Sequence, residues 1–455
     1  MPLKLAGESL LNLLNQREMI KLVLVFYLAP IMLLHFFKKY IFLILFASAP
    51  TLFLKADFLL IPMDYKQTDH LKAYGIAYWS IAQGTEVDWL LNYRGGSFML
   101  PYGQSFENEM RIRDVSYERI SDSQSQRILM EVTSESANMD AMKLEKTPKI
   151  AVYSPKNKQP WDDAVTLALT YAEIPYDIVY DNDVMDGKLK EYDWLHLHHE
   201  DFSGQYGKFY AAYHTQKWYQ DQVAENEEIA AKYGFKKVSQ LKLAVVLVMR
   251  EFVSNGGFLF AMCSATDTYD IALAAMNTDI CDYMFDGDPA DPDAQSKLEF
   301  EHSFAFTDFN LIMNPFYYEY SDIDVTNTRQ VPRELDYFSL FEFSAKWDPV
   351  PTMLCQNHTQ TIKGFMGQTT AFDMKLLKPE VLVMGMLKAY GEARYIHGNF
   401  GKGMWTFYGG HDPEDYQHHV GEEPTMLELH KNSPGYRLIL NNILFPAAKK
   451  KKQKT

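Results

Sequence analysis

From Lys149 onward the chain alternates short apolar runs with longer amphipathic ones, and no other feature constrains its fold as tightly. "KIAVYSP" reads as a strand, "PWDDAVTLALTYAEI" as a helix with Pro160 near its start, and "YDIVYD" and "DWLHLHHED" as strands. "KKVSQLKLAVVLVMREFVSNGG" is a strong helical run with a glycine stop. The strand "GFLFAMC" and the helix "TDTYDIALAAM" follow it. This rhythm predicts an α/β fold, a doubly wound and mostly parallel sheet covered on both faces, with right-handed crossovers.

Residues 57–146 read as a small N-terminal α/β module. "FLLIPMD", "VDWLLNY" and "SFMLP" are strand-like, the last two joined through Arg94–Gly95–Gly96, and "DHLKAYGIAYWSIAQG" is helical up to Gly84. The polar stretch 106–146 reads as a helical bridge. The main domain is expected over 147–446. Its rhythm fails from about Asn277 to Tyr395, which reads as a large insertion over 277–395 that covers the site and holds strand-like pieces such as "FMGQTTAFD" and "VLVMGML". "EARYIHGNFGKGMWTFYGGHDPED" then predicts a hairpin turning at Phe400–Gly403. "SPGYRLILNNILFPAA" predicts a last helix begun by Ser433 and Pro434. The Lys-rich tail, 447–455, reads as a solvated end.

The first 56 residues hold two apolar runs with Lys38 and Lys39 between them. The second, Ile41 to Leu54, is short for a membrane span and suits the apolar region of a signal peptide. Read from Met32, the order is basic pair, apolar run, then a cleavage edge at Ala56. The expectation is an over-extended start and an exported chain, periplasmic or in the cell envelope. The rival reading is an uncleaved anchor or a membrane hairpin, so membrane contact is expected only through this segment.

Net charge is −15, and the chain is more acidic still without its N-terminal segment. Such a body repels polyphosphate, which argues against a nucleic-acid partner. No P-loop, Gly-x-Gly-x-x-Gly or Gly-x-Ser-x-Gly frame is present, so nucleotide binding has little support. The cysteines are Cys263, Cys281 and Cys355. In an exported chain an odd count leaves one thiol unpaired. A Cys281–Cys355 bridge with Cys263 free is expected, against the alternative that all three are reduced.

"GKGMWTFYGGHD" followed by "SPGYRLILNNILFPAA" resembles the closing hairpin and final helix of the class I glutamine amidotransferase-like superfamily, nearest in flavour to its ThuA-like branch. "GGFLFAMCSA" stands where that superfamily places its nucleophile elbow, without the usual Gly-x-Cys-x-Gly frame. The whole chain, with "IPMDYKQTDHLKAYGIAYW" and "GGHDPEDYQHHV", also resembles exported Bacteroidota proteins that often bear the name asparagine synthetase B. That name conflicts with the residues: neither a nucleophile Cys directly after the start Met nor an SGG-x-DS-type pyrophosphate loop occurs here. The resemblance implies a Cys, then His-x-Glu after the last strand. This chain has Cys263 and His411–Asp412–Pro413–Glu414, one residue longer, so Asp412 stands beside Glu414 as the candidate acid.

Ligands of an open parallel sheet bind beyond the carboxyl ends of its strands. Three groups distant in sequence are therefore expected to converge there: Cys263, then His411 with Asp412 and Glu414, then His198, His199, Glu200 and Asp201. Cys263 would attack an amide or related acyl carbon, His411 would move the proton, and Asp412 or Glu414 would orient His411. Backbone N–H groups at the start of a helix over 266–275 would steady the oxyanion. The 198–201 cluster, with Ser264 and Asp267, is assigned to substrate. His196 and His198 share a strand face, so two imidazoles and a carboxylate there suit Zn²⁺, although no metal-binding frame surrounds them. "DGDPADPDAQ" gathers Asp286, Asp288, Asp291 and Asp293, a weak Ca²⁺ candidate against a solvated acidic turn. The run Asn314 to Asp322 suits stacking on sugar rings or packing the insertion on its host. The competing reading of the whole is a non-catalytic carbohydrate- or ion-binding scaffold of the cell envelope. Either way the expected partner is a small molecule or carbohydrate.

Overall fold

β1 (Phe58–Ile61), β2 (Val87–Leu91), β3 (Ser97–Pro101), β4 (Glu118–Ile120) and β5 (Asp140–Leu144) pair antiparallel in the order β4-β1-β3-β2-β5. The computed structural model describes residues 57–155, 163–417, 419 and 421–449. All of them fall in one compact unit, Ala56–Thr455. The expected signal peptide, Met32 start and most of the Lys tail lie outside the described residues. Among those described, no helix is long and apolar enough to cross a membrane.

The first sheet corrects the reading of 106–146 as helical. Helices Gln104–Ile112 and Asp122–Val132 are present, but β4 ("ERI") and β5 ("DAMKL") are strands. Both are edge strands of the sheet, and their charged side chains reach water. That charge hides them from a periodicity search.

The second sheet is mixed. β6 (Ile150–Tyr153), β7 (Asp177–Val179), β8 (Trp194–Leu197) and β9 (Phe258–Met262) come first in the chain. β10 (Tyr337–Leu340), β11 (Thr361–Lys363), β12 (Phe372–Asp373), β13 (Leu382–Leu387), β14 (Glu392–Phe400) and β15 (Gly403–Tyr408) complete it. The order is β11-β10-β13-β14-β15-β9-β8-β6-β7, with β12 on β14. Every pair from β15 to β7 is parallel, and every pair from β11 to β15 is antiparallel. The stretch 277–395 therefore does more than cover the site. It extends the sheet by β10, β11 and β13.

The parallel strands β6, β8 and β9 bury both faces, which is why they read as unbroken apolar runs. Phe258, Phe260 and Met262 join Val152 and Trp194 in one core, roofed by helices His70–Ala82, Ala164–Tyr171 and Pro434–Leu444. Leu259 and Ala261 join Tyr153, Leu195 and Leu197 in the other, under helices Val238–Ser254 and Ser264–Ala274. Phe260 is fully buried. Truncating such a side chain to Ala typically costs about 3–5 kcal/mol.

"FMGQTTAFD" is strand only at Phe372–Asp373. Ahead of β12 the backbone bonds to side chains instead of a ladder. Gly367 N donates to Thr370 Oγ1 at 3.0 Å, and Thr370 N to Thr326 Oγ1 at 3.1 Å. The three cysteines are free thiols, so the expected Cys281–Cys355 bridge is absent. The Cys281 thiol instead donates to Ser203 O at 3.3 Å in a buried setting.

Candidate functional site

Four parallel strands deliver the site. Asp163 follows β6, His198 and His199 follow β8, Cys263 ends β9, and His411 follows β15 beyond Gly409 and Gly410. Cys263 has φ 51° and ψ −141° and caps the helix Ser264–Ala274. A non-glycine residue in this region stores roughly 1–3 kcal/mol of strain and needs firm surroundings. This is the strained strand-to-helix turn that holds out a nucleophile in many α/β enzymes.

Cys263 is 2% exposed. Gln368 donates its backbone N–H to the sulfur at 3.3 Å, and the backbones of Thr369 and Ser264 add to that donor set. Burial pushes the thiol up to about 11, against these donors, which favour the thiolate. Cys263, His411, Tyr318, Gln368, Gln417 and His419 line a cavity of about 200 Å³. Larger hollows lie over Lys237 and Asp279 and over Asn92 and Gln356, but neither has both a thiol and an imidazole in its lining. The loop that carries Gln368 lies close on the His411 loop. A Cβ on Gly367 would stand 2.9 Å from His411 N, and one on Gly409 would stand 2.4 Å from Thr370 O. Only glycine allows that approach.

The histidines gather tightly. Ring centroids of His198 and His411 are 4.2 Å apart, those of His198 and His199 4.9 Å, and those of His199 and His411 5.8 Å. One ring nitrogen of each lies within 4.8 Å of the others. The carboxylate behind this group is Asp163. Its Oδ1 accepts from Val165 N at 2.7 Å and Thr166 N at 3.0 Å, capping the helix Ala164–Tyr171. Oδ2 stands 3.2 Å from His196 Nε2, an ion-pair contact not aligned as a hydrogen bond, and Oδ1 stands 3.6 Å from His198 Nδ1. Burial alone would raise this carboxyl. The His196 and His198 imidazoles outweigh it and hold the group well below the usual range. His196 Nδ1 faces Phe260 O at 3.1 Å, so both its nitrogens face acceptors. His198 is fully buried, and its Nε2 has no hydrogen-bond partner, a state that costs roughly 1–3 kcal/mol when nothing fills it.

The remaining candidates divide. Asp412 Oδ1 accepts from Glu414 N at 2.8 Å, and its Oδ2 accepts from Tyr436 OH at 2.7 Å, which ties the loop to the last helix. Glu414 pairs with His430 at 3.2 Å. Both acids are thus engaged with the 412–436 region. Glu200 Oε2 accepts from His198 N at 2.9 Å, and burial together with Asp163 lifts it to about 7. Asp201 holds its own loop through Ser203 N and Gly207 N. Ser264 Oγ donates to His199 O at 3.1 Å. Asp267 is buried in the first helical turn, where Thr369 Oγ1 donates to it at 3.1 Å; burial and Asp324 push it well above the usual range. Each carboxylate of the acidic loop already has a lysine partner. Asp286 and Asp288 meet Lys237, and Asp291 and Asp293 meet Lys297.

Sequence reasoning missed Asp163, Gln368 and Asp324. Asp163 had a usable signal, an Asp directly before a helical run. Gln368 acts through its backbone, which leaves no trace in residue type.

No protein-family model and no curated protein matches this chain. Among solved structures, the cytoplasmic protein STM3548 of Salmonella typhimurium is similar over 66% of this chain and 100% of its own, at 10% identity and TM-score 0.33. The cytoplasmic protein STM1381 of Salmonella typhimurium LT2 is similar over the same shares, at 12% identity and TM-score 0.33. A GH42 β-galactosidase, Gan42B of G. stearothermophilus, aligns with 58% of this chain and 28% of its own, at 12% identity and TM-score 0.27. Likenesses this slight establish neither a shared fold nor a shared activity.

Proposed function

We propose that this chain is a thiol-dependent amide hydrolase or amidotransferase on a doubly wound sheet of the class I glutamine amidotransferase-like type. The observation that carries the reading is the elbow conformation of Cys263 beside a cavity that His411 also lines. The parallel run from β15 to β7, with an apolar core on each face, supports the fold assignment. The basic pair and apolar run before Ala56 support export to the periplasm or envelope.

In this reading the Cys263 proton passes to an imidazole nitrogen of His411 as sulfur bonds to the amide carbon. The carbonyl electron pair moves onto oxygen. Collapse breaks the C–N bond, and the imidazolium proton leaves with the nitrogen as ammonia or an amine. Water then attacks the thioester carbon and gives a proton to His411. The acid departs, and that proton returns to the sulfur. The backbone N–H of Ser264, at the buried helix start, would serve the developing charge, those of Ala265 and Thr266 being taken by His198 O and Cys263 O.

One observation favours a second reading. Burial lifts the thiol to about 11, which suits an unreactive sulfur in a cavity that only binds a small molecule or sugar. Ammonia release from a panel of primary amides, glutamine and asparagine included, separates the two. The hydrolase reading expects turnover that Cys263→Ser and His411→Gln abolish. Ligand-induced stabilisation without turnover in any member would replace it with the binding reading.

A further inference from the structure

We infer that His198, His199 and His411 form a binding site for one divalent transition-metal ion of the imidazole-preferring kind, Zn²⁺ or Co²⁺, at the base of the Cys263 cavity. The inference stands on the imidazoles and does not need the thiol reading.

Three observations bear on it. One nitrogen from each ring lies within 4.8 Å of the other two, a spacing that small side-chain rotations bring to the shared contact distance of an ion. The three residues come from the carboxyl ends of two different strands, β8 and β15, so the sheet itself sets their approach. Most telling is His198. It is fully buried, its Nδ1 faces Asp163 at 3.6 Å, and its Nε2 has no hydrogen-bond partner. Neither His198 nitrogen makes a hydrogen bond as the ring stands, and closing the 3.6 Å gap from Nδ1 to Asp163 on metal binding would leave the Nε2 lone pair for the ion. Three neutral nitrogen donors favour Zn²⁺, Co²⁺ and Ni²⁺ over Ca²⁺, which takes oxygen ligands.

Three protein ligands leave a tetrahedral ion one open position. His411 is shared between this cluster and the cavity lining, so the ion would sit beside the Cys263 cavity. The same sharing has a chemical consequence. A ligated His411 nitrogen has no lone pair for the Cys263 proton, so a bound ion silences proton transfer to that nitrogen.

The test is titration of the metal-stripped full chain with Co²⁺, followed by visible absorption and by calorimetry. The expected result is one ion per chain, with the intense d–d bands of a low-coordinate site. Asp163→Asn should weaken binding by roughly ten- to a hundredfold. His198→Gln and the half-buried His199→Gln should each abolish the bands, with circular dichroism melts confirming that each variant folds. No stoichiometric binding to wild type would overturn the inference. Full retention of the bands in folded His199→Gln and His198→Gln would do the same, by placing the ion elsewhere. Because the readout is spectroscopic, it is independent of whether any amide is hydrolysed.

Discussion

Gln368 donates its backbone N–H to the Cys263 sulfur at 3.3 Å, although the two residues sit on different loops. The bond makes the thiol's reactivity a property of the 365–371 loop as much as of the elbow. Its donors favour thiolate, while burial favours thiol and prevails, holding the group near about 11. Iodoacetamide labelling of Cys263 in the folded protein should therefore be slow at neutral pH and accelerate up to about pH 11. A plateau already at pH 7, read by peptide mass spectrometry, would contradict this environment.

Gly367→Ala tests the same loop from its backbone. The added Cβ would meet His411 N at 2.9 Å and Gly410 C at 3.1 Å, so the loop must shift. We expect a loss of about 1–3 kcal/mol in urea denaturation. Loosening the Gln368 contact removes a donor that favours the thiolate, so the rise in Cys263 labelling should shift to higher pH.

Asp163 caps a helix and faces two buried imidazoles at once. Losing a cap typically costs ~1 kcal/mol, and leaving buried imidazole groups without their acceptor costs roughly 1–3 kcal/mol more. Asp163→Ala should therefore lose about 2 kcal/mol or more. Asp163→Asn, which keeps the capping oxygen but not the charge, should lose about 1 kcal/mol less. Equal losses would remove the capping part of the argument, and an Asp163→Asn as stable as wild type the electrostatic part.

Asp324 gives a pH signature. Burial lifts its carboxyl from an ordinary 3.8 to about 7. The folded state thus holds a proton that the unfolded chain releases between these values, so the group costs stability as pH rises through that window. Asp324→Asn keeps the Oδ1 that accepts from Thr326 N. Its melting temperature relative to wild type should be higher at pH 8 than at pH 4, and a pH-independent difference would refute the assignment.

His70 and His358 act in the opposite sense. Their rings stack at 4.4 Å, and burial plus the Arg437 charge lower them to about 4 and about 3. Here the unfolded chain binds the protons first. Stability is full above about pH 6.5 and is lost as pH falls toward the folded values. His358→Gln should flatten this acid limb, measured as the change in melting temperature between pH 7 and pH 4.5 relative to wild type.

The parallel strands β6, β8 and β9 were legible because burial on both faces makes them continuous apolar runs, and "GFLFAMC" betrays Cys263 as a strand end. "HLHHED" was visible as a cluster for a similar reason, since its polar residues interrupt an apolar strand. The edge strands β4 and β5 were hidden by their charge. Within 277–395, "VLVMGML" reads as a strand and is β13, but β12 is two residues long and the backbone before it bonds to Thr side chains, so no period emerges there. The pairing of Asp163 with His196 and His198 depends on β6 and β8 lying side by side, which spacing in the chain does not encode. The mistaken Cys281–Cys355 bridge has the same origin, a guess about distance made where only identity was known.

The central claim is that Cys263 is an attacking sulfur served by His411. A diazo-ketone analogue of glutamine, incubated with the metal-stripped full chain and followed by peptide mass spectrometry, tests it most directly. We predict one covalent adduct per chain, on Cys263, formed much more slowly in His411→Gln and blocked by prior loading with Zn²⁺. An unmodified Cys263, or an adduct rate that ignores His411, would contradict it.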